Sequence, residues 1–223
     1  MVARAITSGL SAAAAGRRKK RRPVAAPKRP RSIPLYGLVL AGGHSRRMKK
    51  DKANLTYQRT PQSVRAFRLL QRLCKDVYLS NRAEQKNLPG HKGLPQIHDR
   101  FRELGPAGGI LSAQARHPAV AWLVVACDLP FLDLRTLRHL VRSRSPKSIA
   151  TAYMSAHDGL PEPLCAIYEP RSRAVLSRFT RRGVHCPRKI LILSRVHLLR
   201  PINRRALDNI NTPDEYRKAK AQV

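Results

Sequence analysis

Residues 34–223 are expected to form a three-layer α/β/α domain around a mostly parallel sheet, and three observations predict it. From Ile33 onward, short apolar runs alternate with segments of helical periodicity, as in parallel strands covered by helices. The run Ala121-Trp122-Leu123-Val124-Val125-Ala126-Cys127 is apolar on both faces, as a central parallel strand must be. The apolar run ending at Leu40 leads directly into Gly42-Gly43, a strand followed by a loop whose backbone can approach an anion.

In chain order, Ile33 to Leu40 is the first strand. Ser63 to Leu73 places Val64, Phe67, Leu70 and Leu73 at helical spacing, and Val77 to Leu79 follows as a short strand. Asn81-Arg82 closes that strand at the carboxyl edge, where open α/β sheets bind ligands. A loop rich in Gly, Pro and Lys extends to Ile97-His98-Asp99, and Gly105-Pro106-Ala107-Gly108-Gly109-Ile110 opens a helix reaching about Arg116. Beyond Asp128, Leu134 to Val141 is helical, Ile149 to Met154 and Leu164 to Tyr168 are strands, and Arg171 to Phe179 is a helix. Ile190 to Leu193 fits a strand or a helix equally. Thr212, Pro213 and Glu215 have the order of an N-cap, a first-turn proline and a capping-box partner.

The 223 residues carry 45 Lys and Arg against 13 Asp and Glu, a formal net charge of +32. Residues 1–33 contain no acidic residue and hold Arg17-Arg18-Lys19-Lys20-Arg21-Arg22 among alanines and prolines, so they read as a basic, disordered extension. Three readings of that extension stand: a solvated tail, weak contact with a polyanion, or a targeting segment. A twin-arginine export signal fits poorly, because Arg21-Arg22 leads into Pro-Val-Ala-Ala-Pro-Lys and not an apolar stretch. No apolar run approaches the roughly 20 residues that span a bilayer. Cys74, Cys127, Cys165 and Cys186 are widely spaced, which suits reduced thiols in a cytoplasmic protein better than a zinc site or disulfide scaffold.

The chemistry gathers at the strand ends. In the loop after Leu40, Arg47 offers a planar fork of donors for phosphate oxygens, and Lys52 a mobile positive charge. Asp128 directly follows the most apolar strand, so its carboxylate is placed either to hold Mg²⁺ beside a triphosphate or to cap the next turn. On its own Asp99 reads as a loop aspartate in an Asx turn, and Asn81 as a turn former. Cys127 adjoins Asp128 but ends a buried strand, as a packed thiol does.

The string Leu40-Ala41-Gly42-Gly43-His44-Ser45-Arg46-Arg47-Met48-Lys49-Lys50-Asp51-Lys52-Ala53 resembles the signature L-A-G-G-x-S-x-R-M-G-x-D-K-A of the nucleotidyltransferases that include the molybdenum cofactor guanylyltransferases. Lys49 departs from it, standing where the family has glycine; a positive φ there would cost roughly 1–2 kcal/mol. Ala126-Cys127-Asp128-Leu129-Pro130 is similar to the family's metal-binding C-D-x-P, Gly105 to Ile110 to its G-P-L-A-G-I, and Asn209-Ile210-Asn211-Thr212-Pro213 to its N-x-N-T-P. The resemblance implies a Rossmann-like fold of the nucleotide-diphospho-sugar transferase type and transfer of GMP from GTP to the terminal phosphate of molybdopterin, or of the molybdenum cofactor, with loss of pyrophosphate. It further implies that Leu40, Ala41, Gly42, Gly43, Lys52, Asn81, Asp99 and Asp128 line the nucleotide. Mg²⁺ would sit on Asp128, catalysis would rest on Arg47, Lys52 and Asp128, and Asn209 and Asn211 would face the acceptor pterin. Two alternatives stand beside it: a cytidylyl- or sugar-phosphate nucleotidyltransferase of the same fold, or a polyanion-binding protein on a lapsed transferase scaffold.

Overall fold

The computed structural model describes residues 33–43, 56–57, 60–210 and 212–222. Arg47, Lys49, Lys52, Asn211 and almost all of the basic extension lie outside these residues.

The first three strands are β1 (Leu35–Leu40), β2 (Thr56–Tyr57) and β3 (Thr60–Pro61), followed by the helix α1 (Gln62–Gln71) and the strands β4 (Val77–Asn81) and β5 (Gln96–His98). Then come α2 (Pro106–Arg116), β6 (Ala121–Ala126), α3 (Leu134–Arg142), β7 (Ala150–Met154) and β8 (Pro161–Tyr168). The chain continues through α4 (Ser172–Arg181), α5 (Pro187–Ile192), β9 (Val196–Leu199) and α6 (Pro213–Lys220). Seven strands form one sheet in the order β5-β4-β1-β6-β8-β7-β9, and β2 pairs with β3 in a separate antiparallel ribbon. Only β8 breaks the parallel pattern, running antiparallel to both β6 and β7, so the expectation of a mostly parallel sheet holds.

Successive residues of a strand face opposite sides, and the core divides accordingly. Val39, Leu79, Leu123 and Val125 pack with Phe67 and Leu70 of α1 and Leu137 and Leu140 of α3. Leu38, Ile97, Trp122 and Val124 pack with Ile110 of α2, Leu176 of α4 and Ile190 of α5. Those two clusters on either side of one sheet make the three layers. In the pair Arg144–Glu169 the carboxylate is buried and the guanidinium half-buried: Nε and Nη2 donate to the two carboxylate oxygens at 2.6 and 2.8 Å, and Nη1 donates to the carbonyl of Ile33 at 3.0 Å.

The structure adds to the elements read from sequence. Residues 187–192 are helical, which settles the segment left open, while β5 and β9 are strands where no strand was expected. Each has a physical reason. In β5 only Ile97 is buried, and β9 has its inner two residues exposed, so neither shows an alternating apolar pattern. The expected start of α6 is as read: Thr212 accepts from the N–H of Glu215 at 3.2 Å, and Glu215 accepts from the N–H of Thr212 at 3.1 Å. Among the described residues no helix is long and apolar enough to cross a membrane.

Candidate active site

Parallel pairing fixes which residues meet at the carboxyl edge. Leu40 is in register with Ser80 of β4 and Ala126 of β6, and the ladder runs on through Ala41 N–H to Ser80 O at 2.8 Å and Cys127 N–H to Leu40 O at 3.1 Å. On the outer side Asp99 N–H donates to Asn81 O at 2.9 Å. Neighbouring strands lie about 4.8 Å apart, so the bend at Gly42 and the residue Asp128, each two positions past a registered pair, occupy one edge side by side. The two places expected from the sequence to serve phosphate and metal are thus brought to one edge.

At Gly42 it is close approach, not a left-handed backbone, that favours glycine. A Cβ there would stand 3.1 Å from Asp99 Oδ2 and 3.5 Å from the Cα of Asn81. Gly43 differs: it is exposed, and a Cβ would meet nothing within 4 Å, so no described neighbour demands glycine. The segment Gly105 to Ile110 is built for tight seating of α2. Gly105 adopts φ +53°, Pro106 takes the first helical position, and a Cβ on Gly108 would collide with the carbonyl oxygen of Phe101. A Cβ on Gly109 would lie 2.5 Å from Ser80 Oγ, 2.8 Å from Leu40 Cδ2 and 3.3 Å from Asp99 Oδ1.

Asp99 therefore stands between the bend after β1 and the first turn of α2. Ser80 Oγ donates to its Oδ1 at 2.7 Å. Burial raises its pKa above the usual carboxylate value, against the opposing pull of the Ser80 hydroxyl and of His98 and Arg82. Asn81 behaves differently from the expectation of a ligand-facing side chain. It is fully buried, at 0% exposure, and its amide is engaged inside the protein: Nδ2 donates to Gln96 Oε1 at 2.7 Å and Oδ1 lies 2.8 Å from His98 Nδ1. In this arrangement Asn81 is a support for the strand end.

Asp128 is half-buried, and its carbonyl accepts from the N–H of Ile210 at 3.0 Å, which draws the segment bearing the exposed Asn209 to the same edge. The turn after Asp128 is clamped from α1: Gln62 Nε2 donates to Leu129 O at 2.9 Å, and Arg65 donates to the carbonyls of Pro130 and Leu132. Sequence reasoning missed both residues, because on a helix they read as an ordinary polar face. It also missed Asp133, the N-cap of α3, which accepts from Thr136 N–H at 2.6 Å; an aspartate just before a helical run was a usable signal. Some burial acts to raise the Asp133 pKa, yet the hydrogen bonds from Thr136 and Asn203 outweigh it and hold that carboxyl below its usual range.

Among the described residues no three His, Cys, Asp or Glu side chains converge, and a strand-end carboxylate such as that of Asp128 is the kind of protein ligand Mg²⁺ accepts when phosphates and water complete its shell.

Comparison with known proteins agrees with this fold. The molybdenum cofactor biosynthesis bifunctional protein of Synechocystis sp. is 40% identical over 183 residues, which cover 82% of this chain and 53% of that protein. The chain thus spans about half the length of that relative. A probable molybdenum cofactor guanylyltransferase of Pelotomaculum thermopropionicum is 29% identical over 194 residues, 84% of this chain and 92% of that protein. The crystal structure of molybdopterin-guanine dinucleotide biosynthesis protein A from Archaeoglobus fulgidus superposes with a TM-score of 0.69 at 23% identity, over 84% of this chain and 97% of that one, which establishes the shared fold. Residues 37–197 match the model of the MobA-like NTP transferase domain, running from within β1 into the first half of β9, and the chain belongs to that family.

Proposed function

We propose that this chain is a molybdenum cofactor guanylyltransferase, joining GMP from GTP to the terminal phosphate of molybdopterin or the molybdenum cofactor and releasing pyrophosphate. One observation carries the reading: Gly42, Asp99, Asp128 and Asn209 come from four distant parts of the sequence and meet at one sheet edge.

In this mechanism the acceptor phosphate oxygen attacks the α-phosphorus of GTP in line, forming the new P–O bond as the bond to the pyrophosphate oxygen breaks. The backbone at Gly42 and Gly43 cradles the phosphates, and Asp99 borders the nucleoside. Arg47 and Lys52 carry positive charge to the phosphates during transfer. Asp128 holds Mg²⁺, which when bound neutralises charge on the triphosphate and its leaving group. Asn209 and Asn211 orient the pterin on the opposite side, so catalysis rests on positioning and charge and needs no covalent enzyme intermediate. Contact of the basic extension with a polyanion would be weak and separate from this chemistry.

Incubating the purified full chain with molybdopterin, Mg²⁺ and each nucleoside triphosphate tests the reading. A guanine dinucleotide product from GTP and not from CTP is expected. Asp128→Asn should lower that transfer by at least about a hundredfold with an unchanged circular dichroism spectrum. Product from CTP alone would overturn the guanylyl assignment, and near-normal transfer by Asp128→Asn would overturn the role of Asp128.

A further inference from the structure

The outer edge of the sheet at β9 carries a surface that this chemistry leaves unused. Strand β9 pairs with β7 alone, and among the described residues no backbone hydrogen bond leaves its other side. That side is an open row of N–H and C=O groups, a template for a further strand. Around it lie four of the six large hydrophobic side chains exposed among the described residues: Ile192 at 44%, Leu193 at 57%, Leu198 at 40% and Ile202 at 42%.

Three of the four share one side of the sheet. Alternation along β9 sets Val196 and Leu198 on the same side, and Val196 packs against the cluster that holds Ile190 and Leu191 of α5. Leu199 packs against the opposite cluster. Leu198 therefore lies on the side of α5, whose end presents Lys189, Ile192 and Leu193 at positions three and four apart, exposed on one helical face.

The charge around this patch has one sign. Residues 170–207 hold eleven Lys and Arg and no Asp or Glu. Arg188 is paired with Asp158 and Glu162, whereas Lys189, Arg195 and Arg200 are exposed and in no ion pair among the described residues. These features discriminate between occupants. Lipid chains offer no partners to edge N–H and C=O groups. A nucleic-acid backbone would meet the cations but leave the aliphatic side chains in water. A second copy of β9, laid antiparallel about the strand's centre, would set Arg195 against Arg200 twice over.

We infer that β9 and the end of α5 form a docking surface for a partner protein, which adds an extended segment, apolar in its middle and acidic at its ends, to the edge of the sheet. The segment's backbone pairs with β9, its apolar side chains cover Leu198, Ile192 and Leu193, and its carboxylates meet Arg195 and Arg200. The inference is independent of the reaction proposed above.

The probe is a synthetic peptide, acetyl-Glu-Glu-Val-Thr-Val-Thr-Val-Glu-Glu-amide, added to the full chain. It should bind and slow hydrogen exchange at the outward amides of β9 at least about tenfold. The same peptide N-methylated through its five central residues keeps every charge and side chain but cannot pair as a strand, and should lose that binding. Leu198→Asp, a change at an exposed position, should weaken binding of the parent peptide about tenfold or more. Arg195→Glu combined with Arg200→Glu should reverse the preference, so that a peptide with lysines in place of its glutamates binds better than the parent. Absence of binding by the parent peptide, equal binding of the N-methylated form, or protection away from β9 would overturn the inference. Protection of β9 by a DNA duplex or by phosphatidylserine vesicles and not by the peptide would overturn it as well.

Discussion

Replacing Gly109 by alanine sets two effects of known size against each other. Alanine inside a helix is worth about 1 kcal/mol over glycine, so on backbone propensity alone the change would stabilise α2. The new methyl, however, would stand 2.5 Å from Ser80 Oγ and 2.8 Å from Leu40 Cδ2, well inside the roughly 3.5–4.0 Å of ordinary carbon contacts. Ser80 must turn away, and the hydrogen bond it loses runs to the Asp99 carboxylate at 2.7 Å, a charged partner for which such a bond is worth about 1.5–3 kcal/mol. Moving the Leu40 methyl off its rotamer adds about 0.5–1.5 kcal/mol. The net is a loss of about 1–3 kcal/mol, a fall in Tm of roughly 3–10 °C for a domain of this size. Thermal unfolding of Gly109→Ala, Ser80→Ala and the double variant measures it. With the hydroxyl already removed, the second substitution should cost about 1–2 kcal/mol less than in the wild type, a non-additivity expected of touching residues. A higher Tm for Gly109→Ala, or strict additivity, would show that α2 is not seated on Ser80 as described.

Asp99→Asn should reveal a carboxylate kept at some expense to the fold. Its folded pKa is raised chiefly by burial, so the stability it contributes is complete below the unfolded value of about 3.9 and is lost as pH rises through the folded one. The Tm of the Asn variant relative to wild type should therefore climb across that interval and level off toward neutral pH; a difference that shrinks with rising pH would refute the sign. Arg144→Met should cost about 3–5 kcal/mol in chemical denaturation, because it strands Glu169, 0% exposed, without its bidentate partner. Adding Glu169→Leu should recover much of the loss, and a single-variant cost below about 1 kcal/mol would mark the pair as no more than a surface contact.

What the sequence made legible follows from how local each determinant is. The doubly apolar run at Ala121–Ala126 can only be a central strand, and all six of its residues are buried. The capping box of Thr212 and Glu215 is written in three positions and forms as read. By contrast, β9 owes its existence to its parallel pairing with β7 and shows no pattern of its own. The same division runs through the site. Gly42 and Asp128 were readable as strand-end residues from the apolar runs before them, and only the resemblance favoured phosphate and metal roles over a tight turn and a cap. The support given by Gln62 and Arg65 depends on contacts between residues 67 positions apart and cannot be seen along the chain. Asn81 shows the converse, since its place at a strand end was readable and its inward-turned amide was not.

The bond from Ile210 to the carbonyl of Asp128 spans 82 positions and sets an order of events. A ribosome that has delivered every strand of the sheet has still not delivered the segment that braces this aspartate. Folding from the amino end during synthesis would yield a well-formed sheet before a finished cleft. A growing chain would then pass through a stage at which its sheet is complete while Asp128 still lacks this brace, and gain the brace in one late step.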